Sequence, residues 1–135
     1  DTILKKLSQQ SFDFAVINFA ASDMVAHTGK LEAAVKACEA LDVCLGKIVN
    51  AVLMAGGAVV LTADHGNVEK LVDENGGPDP EHTNNPVPLL ICAEGLTSMQ
   101  IPYGILADVA PTILALMGIP KPSEMTGRNL LPQIH

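Results

Sequence analysis

Ala58-Val59-Val60-Leu61-Thr62-Ala63-Asp64-His65-Gly66-Asn67 runs from an apolar stretch straight into a polar cluster, and this join decides how the chain is read. The apolar part is short and rich in strand formers, the pattern of a strand covered on both faces. Upstream, Asp13-Phe14-Ala15-Val16-Ile17-Asn18-Phe19-Ala20 has the same character and gives way to a polar turn carrying Ser22, Asp23, His27 and Gly29. Between the two, residues 30–54 are rich in helix formers. Leu31, Val35, Cys38, Leu41, Leu45, Ile48 and Val52 fall three or four apart on one face, and Gly56-Gly57 ends the pattern. Strand, helix, strand is a βαβ unit. It predicts parallel strands with a right-handed crossover, and puts both polar clusters beyond the carboxyl ends of their strands, where open α/β sheets place ligands.

Downstream, residues 73–86 are dense in Asn, Asp, Gly and Pro and predict a long irregular segment, which in a compact domain is more often functional than filler. Residues 87–93 read as a third strand, with Pro88 at its start or on an edge. Residues 106–117 read as a second helix with Pro111 in its first turn and Asp108 or a neighbour as cap. Residues 118–135 are loop-like, with Leu130 and Leu131 tucked against the domain. The chain contains no linker or low-complexity tract, so its 135 residues are expected to form one α/β unit.

Composition limits the partners. Eight Lys and Arg against fifteen Asp and Glu give a charge of −7, and Arg128 is the only arginine, so a nucleic-acid binder is excluded. Nothing approaches an apolar membrane span, and residues 1–10 lack the basic-then-apolar order of a signal peptide. Cys38, Cys44 and Cys92 are an odd set without a Cys-x-x-Cys pair, which reads as free thiols in a reducing, cytoplasmic compartment.

The chemistry sits in the polar clusters. Asp23 and His27 are four apart, so a helical turn would put both on one face. Alone, that pair is as readily a solvated Asp and a surface His. Asp64 and His65 are adjacent and would point to opposite faces of a regular strand, but Gly66 permits a turn that brings both to one site. His82, in Glu81-His82-Thr83, stands in the long loop. Together these residues gather at one edge of the inferred sheet. A mixed carboxylate and imidazole set favours Mn²⁺, Zn²⁺ or Fe over Ca²⁺ or Mg²⁺, and five ligands exceed what one catalytic ion needs, which points to two metals. Glu69 and Lys70 read as a solvated helix face.

Three segments carry a family resemblance: Asn18-Phe19-Ala20-Ala21-Ser22-Asp23-Met24-Val25-Ala26-His27-Thr28-Gly29, Leu61-Thr62-Ala63-Asp64-His65-Gly66-Asn67-Val68-Glu69-Lys70 and His82-Thr83-Asn84-Asn85-Pro86-Val87-Pro88. In order, they resemble the C-terminal metal-binding motifs of cofactor-independent phosphoglycerate mutase, of the alkaline phosphatase superfamily. Asp108-Val109-Ala110-Pro111-Thr112-Ile113-Leu114 and Glu124-Met125-Thr126-Gly127-Arg128 are similar to the family's ending. The resemblance implies an alkaline-phosphatase-like, mostly parallel sheet flanked by helices, of which residues 1–135 are the C-terminal portion of the metal-binding phosphatase domain. It implies that Asp23, His27 and His82 hold one Mn²⁺ while Asp64 and His65 contribute to a second. It also implies interconversion of 3-phosphoglycerate and 2-phosphoglycerate through a phosphoserine.

The family's nucleophilic serine, its remaining metal ligands and its substrate-binding arginines lie N-terminal to these motifs. Ser8, Ser11, Ser22, Ser98 and Ser123 do not match the nucleophile motif, and Ala21 and Ala26 stand where the family usually has Asn and Gly. The chain alone is therefore expected to be inactive, and to leave an apolar sheet edge uncovered where upstream strands belong. Two other readings share the residues: a fragment of a sister enzyme, such as a phosphopentomutase or metal-dependent phosphatase, and a non-catalytic metal-binding module.

Overall fold

The computed structural model, which describes residues 2–9, 11–79, 81–96 and 100–131, contains four helices and a two-stranded sheet among those residues. They run in the order α1 (Thr2–Ser8), α2 (Ala21–Ala26), α3 (Leu31–Met54), β1 (Val59–Thr62), β2 (Leu89–Cys92) and α4 (Val109–Leu116), the last entered through a 3-10 turn at Leu106–Asp108.

Helix α3 forms where the three-and-four spacing places it. It stops because Gly56 takes φ +74°, a left-handed conformation open to glycine at little cost. The N–H of Gly57 then donates to the Val52 carbonyl at 2.9 Å and that of Gly56 to Leu53 at 3.0 Å, satisfying two carbonyls at the helix end. The apolar stripe is half-buried from Cys38 to Val52, against α1, α2 and β1, but splays into solvent at Leu31 and Val35.

The α/β class is as read, and the strand pairing is not. Beside β1 lies β2, antiparallel, with Val59 opposite Cys92 and Thr62 opposite Leu89; it is the one ladder among the described residues. The parallel unit is not formed, because residues 13–20 make no ladder and leave Phe14 52% and Val16 81% exposed. A strand buried on both faces needs a neighbour on each side and cover above and below, and no described segment supplies them. The third strand is confirmed as β2, beginning directly after Pro88.

The connection between β1 and β2, read as irregular over residues 73–86, is ordered by two bridges, Gly66 to Thr83 and Val72 to Pro78. With the β1–β2 ladder these pairs are nested, so residues 59–92 are one long interrupted hairpin. Its tip is pinned where Lys70 Nζ meets the buried Asp79 carboxylate at 2.7 Å and the Asp79 N–H donates to the Leu71 carbonyl at 3.0 Å.

At the other end, Pro111 lies in the first turn of α4, where its missing N–H costs no helical bond. Asp108 precedes the helix, and its carboxylate accepts from the N–H of Ile105 at 2.9 Å, at the start of the 3-10 turn, and from that of Arg128 in the tail at 2.8 Å. Those bonds hold it below the ordinary carboxylate range. Buried Thr112 continues the seam: its hydroxyl donates to the Asp108 carbonyl at 2.7 Å and accepts from the N–H of Leu130 at 3.0 Å. Leu130 is buried as expected and Leu131 half-buried, while residues 132–135 of the tail lie outside the described residues.

Candidate metal centre

Helix α2 puts Asp23 and His27 a turn apart, with His27 Nε2 3.6 Å from Asp23 Oδ1. Beyond β1 the chain bends at residues 64–66, leaving Asp64 outermost and His65 half-buried, with 3.7 Å between Asp64 Oδ1 and His65 Nε2. The hairpin's return arm brings His82 across, its Nε2 3.5 Å from Asp23 Oδ1. The rings of His65 and His82 stack with centroids 3.6 Å apart, and His27 lies 5.6 Å from His82.

Asp23, His65 and His82 each offer a ligand atom, all within 4.8 Å of one another. His27 stands beside Asp23 and outside this tightest group, whereas Asp64, its side chain 89% exposed, faces a cleft of about 490 Å³ shared with His65, Asn84, Asn85 and Tyr103.

The pocket's electrostatics suit a cation. Asp23 is held below the usual carboxylate range, first by the hydrogen bond from Asn67 and then by the nearby histidines, against the opposing effect of burial. His65 Nδ1 and Asn67 Oδ1 are buried without a protein partner, so two lone-pair-bearing atoms remain unspent beside a carboxylate. Borderline nitrogen and hard oxygen donors converging in this way fit a divalent transition-metal ion.

Gly66 is needed for a reason other than the one expected. Its backbone is not left-handed; instead a Cβ there would strike Thr83 Oγ1 and Glu69 Oε1, and the Thr83 N–H donates to the Gly66 carbonyl at 2.8 Å. The glycine admits the return arm that carries His82.

Glu69 and Lys70 are not on a solvated helix face. Glu69 accepts from the Thr83 hydroxyl, from Asn85 Nδ2 at 2.9 Å and from the Asn67 N–H at 2.7 Å. Asn67 had no role in the sequence reading, yet it is 5% exposed and donates Nδ2 to Asp23 Oδ1 at 2.5 Å. Its place two residues after His65 was the available signal. Ser98 lies outside the described residues, and Ser22 is half-buried next to Asp23.

Donors of this kind, gathered between α2, the end of β1 and the return arm of the hairpin, are the kind that metal-dependent proteins use. The match of residues 1–121 to the metalloenzyme superfamily agrees, and the chain belongs to that superfamily. More particularly, it is 50% identical over 131 residues to the 2,3-bisphosphoglycerate-independent phosphoglycerate mutase of Syntrophotalea carbinolica, covering 97% of this chain and 26% of that protein. The enzyme of the same name from Clostridium acetobutylicum is 50% identical over 131 residues, 96% of this chain and 26% of its own. A phosphoglycerate mutase structure from Leishmania mexicana, obtained at low cobalt concentration, matches with a TM-score of 0.81 at 30% identity, over 98% of this chain and 27% of that one. The chain thus spans about a quarter of the length of the curated relatives it matches. Family and donor set together support a divalent metal. No helix among the described residues is long and apolar enough to cross a membrane.

Proposed function

We propose that residues 1–135 are the C-terminal portion of the metal-binding phosphatase domain of a cytoplasmic, glycolytic phosphoglycerate mutase. The enzyme would interconvert 3-phosphoglycerate and 2-phosphoglycerate through a phosphoserine. The reading is carried by one observation: Asp23, His65 and His82 converge, with His27 and Asp64 beside them, in a chain about half identical over nearly its whole length to enzymes of that name.

In this reading Asp23, His27 and His82 hold one Mn²⁺, and Asp64 and His65 contribute to a second. Bound divalent ions supply positive charge for the transferring phosphoryl group and activate the attacking oxygen. The chain's own part is to hold the ligands. Asn67 orients the Asp23 carboxylate through its amide, and the His65–His82 stack limits how either ring can turn. The exposed Asp64 carboxylate faces the cleft in which substrate would lie. The nucleophilic serine, the remaining ligands and the substrate-binding arginines would come from an N-terminal part of the same enzyme.

Elemental analysis and manganese titration of the full-length protein, with a mutase assay, test this. About two Mn²⁺ per chain and mutase turnover are expected, with His27→Ala and His82→Ala each losing one ion and at least about 100-fold in activity. Absence of bound metal at millimolar manganese, or turnover of a phosphopentose in place of phosphoglycerate, would overturn the reading.

A further inference from the structure

Glu69 is outside the ligand set yet is joined to each of the segments that carry it. One carboxylate oxygen accepts from the Asn67 N–H, and the Asn67 amide in turn holds Asp23. The other accepts from Thr83, directly after His82, and from Asn85, on the same arm. Gly66, directly after His65, gives up its side-chain space so that Thr83 and Glu69 can meet there. An exposed glutamate needs only water for its charge. Here three protein donors converge on it from both arms of the hairpin, each bond ordering residues next to a ligand.

We propose that Glu69 is a positioning residue of the metal centre: its carboxylate clasps the arm bearing His82 to the arm bearing His65 and, through Asn67, to Asp23. The proposal rests on the metal reading above. Released from the clasp, the Asn- and Pro-rich arm at residues 82–88 would have to be ordered each time an ion binds, which weakens binding without removing a ligand.

The test is Mn²⁺ titration of the full-length protein as wild type, Glu69→Ala, Glu69→Gln and Asn85→Ala, with the visible spectrum of the Co²⁺-loaded forms as a second readout. Glu69→Ala should bind Mn²⁺ roughly 10- to 100-fold more weakly, the usual effect of losing an outer partner of a ligand. Its Co²⁺ bands should shift, while saturating metal restores most of the activity. Glu69→Gln keeps one acceptor oxygen and should recover part of the affinity, and Asn85→Ala should show a smaller loss in the same direction. A change of fold stability alone would leave the spectrum of the Co²⁺-saturated protein where it is in wild type.

Wild-type affinity and an unshifted spectrum in Glu69→Ala would overturn the proposal and leave the metal reading intact. If that variant does not fold, wild-type affinity and spectrum in both Glu69→Gln and Asn85→Ala would do so. A wild-type protein that binds neither Mn²⁺ nor Co²⁺ would overturn both readings.

Discussion

Among the described residues Glu69 has the largest displacement in acidity, down to about 2 from an ordinary 4.5, first through the hydrogen bond from Thr83 and then, with burial opposing, those from Asn85 and the backbone. A carboxyl group whose folded value lies below its unfolded one adds stability that is complete above the unfolded value and is lost as pH falls toward the folded one. In the metal-free protein, the urea midpoint of wild type should therefore exceed that of Glu69→Gln at pH 6, and the gap should close between pH 4.5 and 2. A gap that stays constant over that range would rule out the ionised clasp. Sequence alone could not show it, because two of the partners of Glu69 lie 14 and 16 residues on and no periodicity links them. Asp23, His27, Asp64, His65 and His82 are legible because three of the four histidines fall, with aspartates close by, after an apolar run or in a turn-rich loop. What a side chain does alone is legible; which distant backbone it bonds is not.

Elements were legible where their cause was local. Helix α3 needed only its own spacing and the glycines that end it, and β2 its apolar run after Pro88. Residues 13–20 had strand composition but no neighbour to pair with, and composition cannot supply one. The same contrast holds around α4, whose start was foreseeable from Pro111 while the seam through Thr112 was not. That hydroxyl is fully buried and bonds on both sides. Thr112→Val keeps the shape but leaves the N–H of Leu130 without its acceptor, which should cost about 1–3 kcal/mol. Urea denaturation should show it as a lowered midpoint with unchanged slope. A loss under about 0.5 kcal/mol would mean that the tail does not depend on this bond.

At the scale of the molecule, the hydrophobic residues buried among those described are Ala26, Ala34 and Leu130, while Phe14, Val16, Leu90, Tyr103 and Ile105 stand in solvent. With so thin a core and so much apolar surface in solvent, a chain of this kind should self-associate. Sedimentation of the isolated chain should show species larger than a monomer that grow with concentration, and Val16→Lys should shift them to smaller ones; a monodisperse monomer at high concentration would refute this. The nested pairs of the hairpin, 72 with 78, 66 with 83, then 62 with 89, have a kinetic consequence. Each pair, once made, shortens the free loop that the next must close, so the entropy of bringing β1 to β2 is spread over several small steps instead of being met at once. Zipped from its tip, the hairpin brings Asp64 and His65 up to His82 at the 66–83 bridge before β1 meets β2.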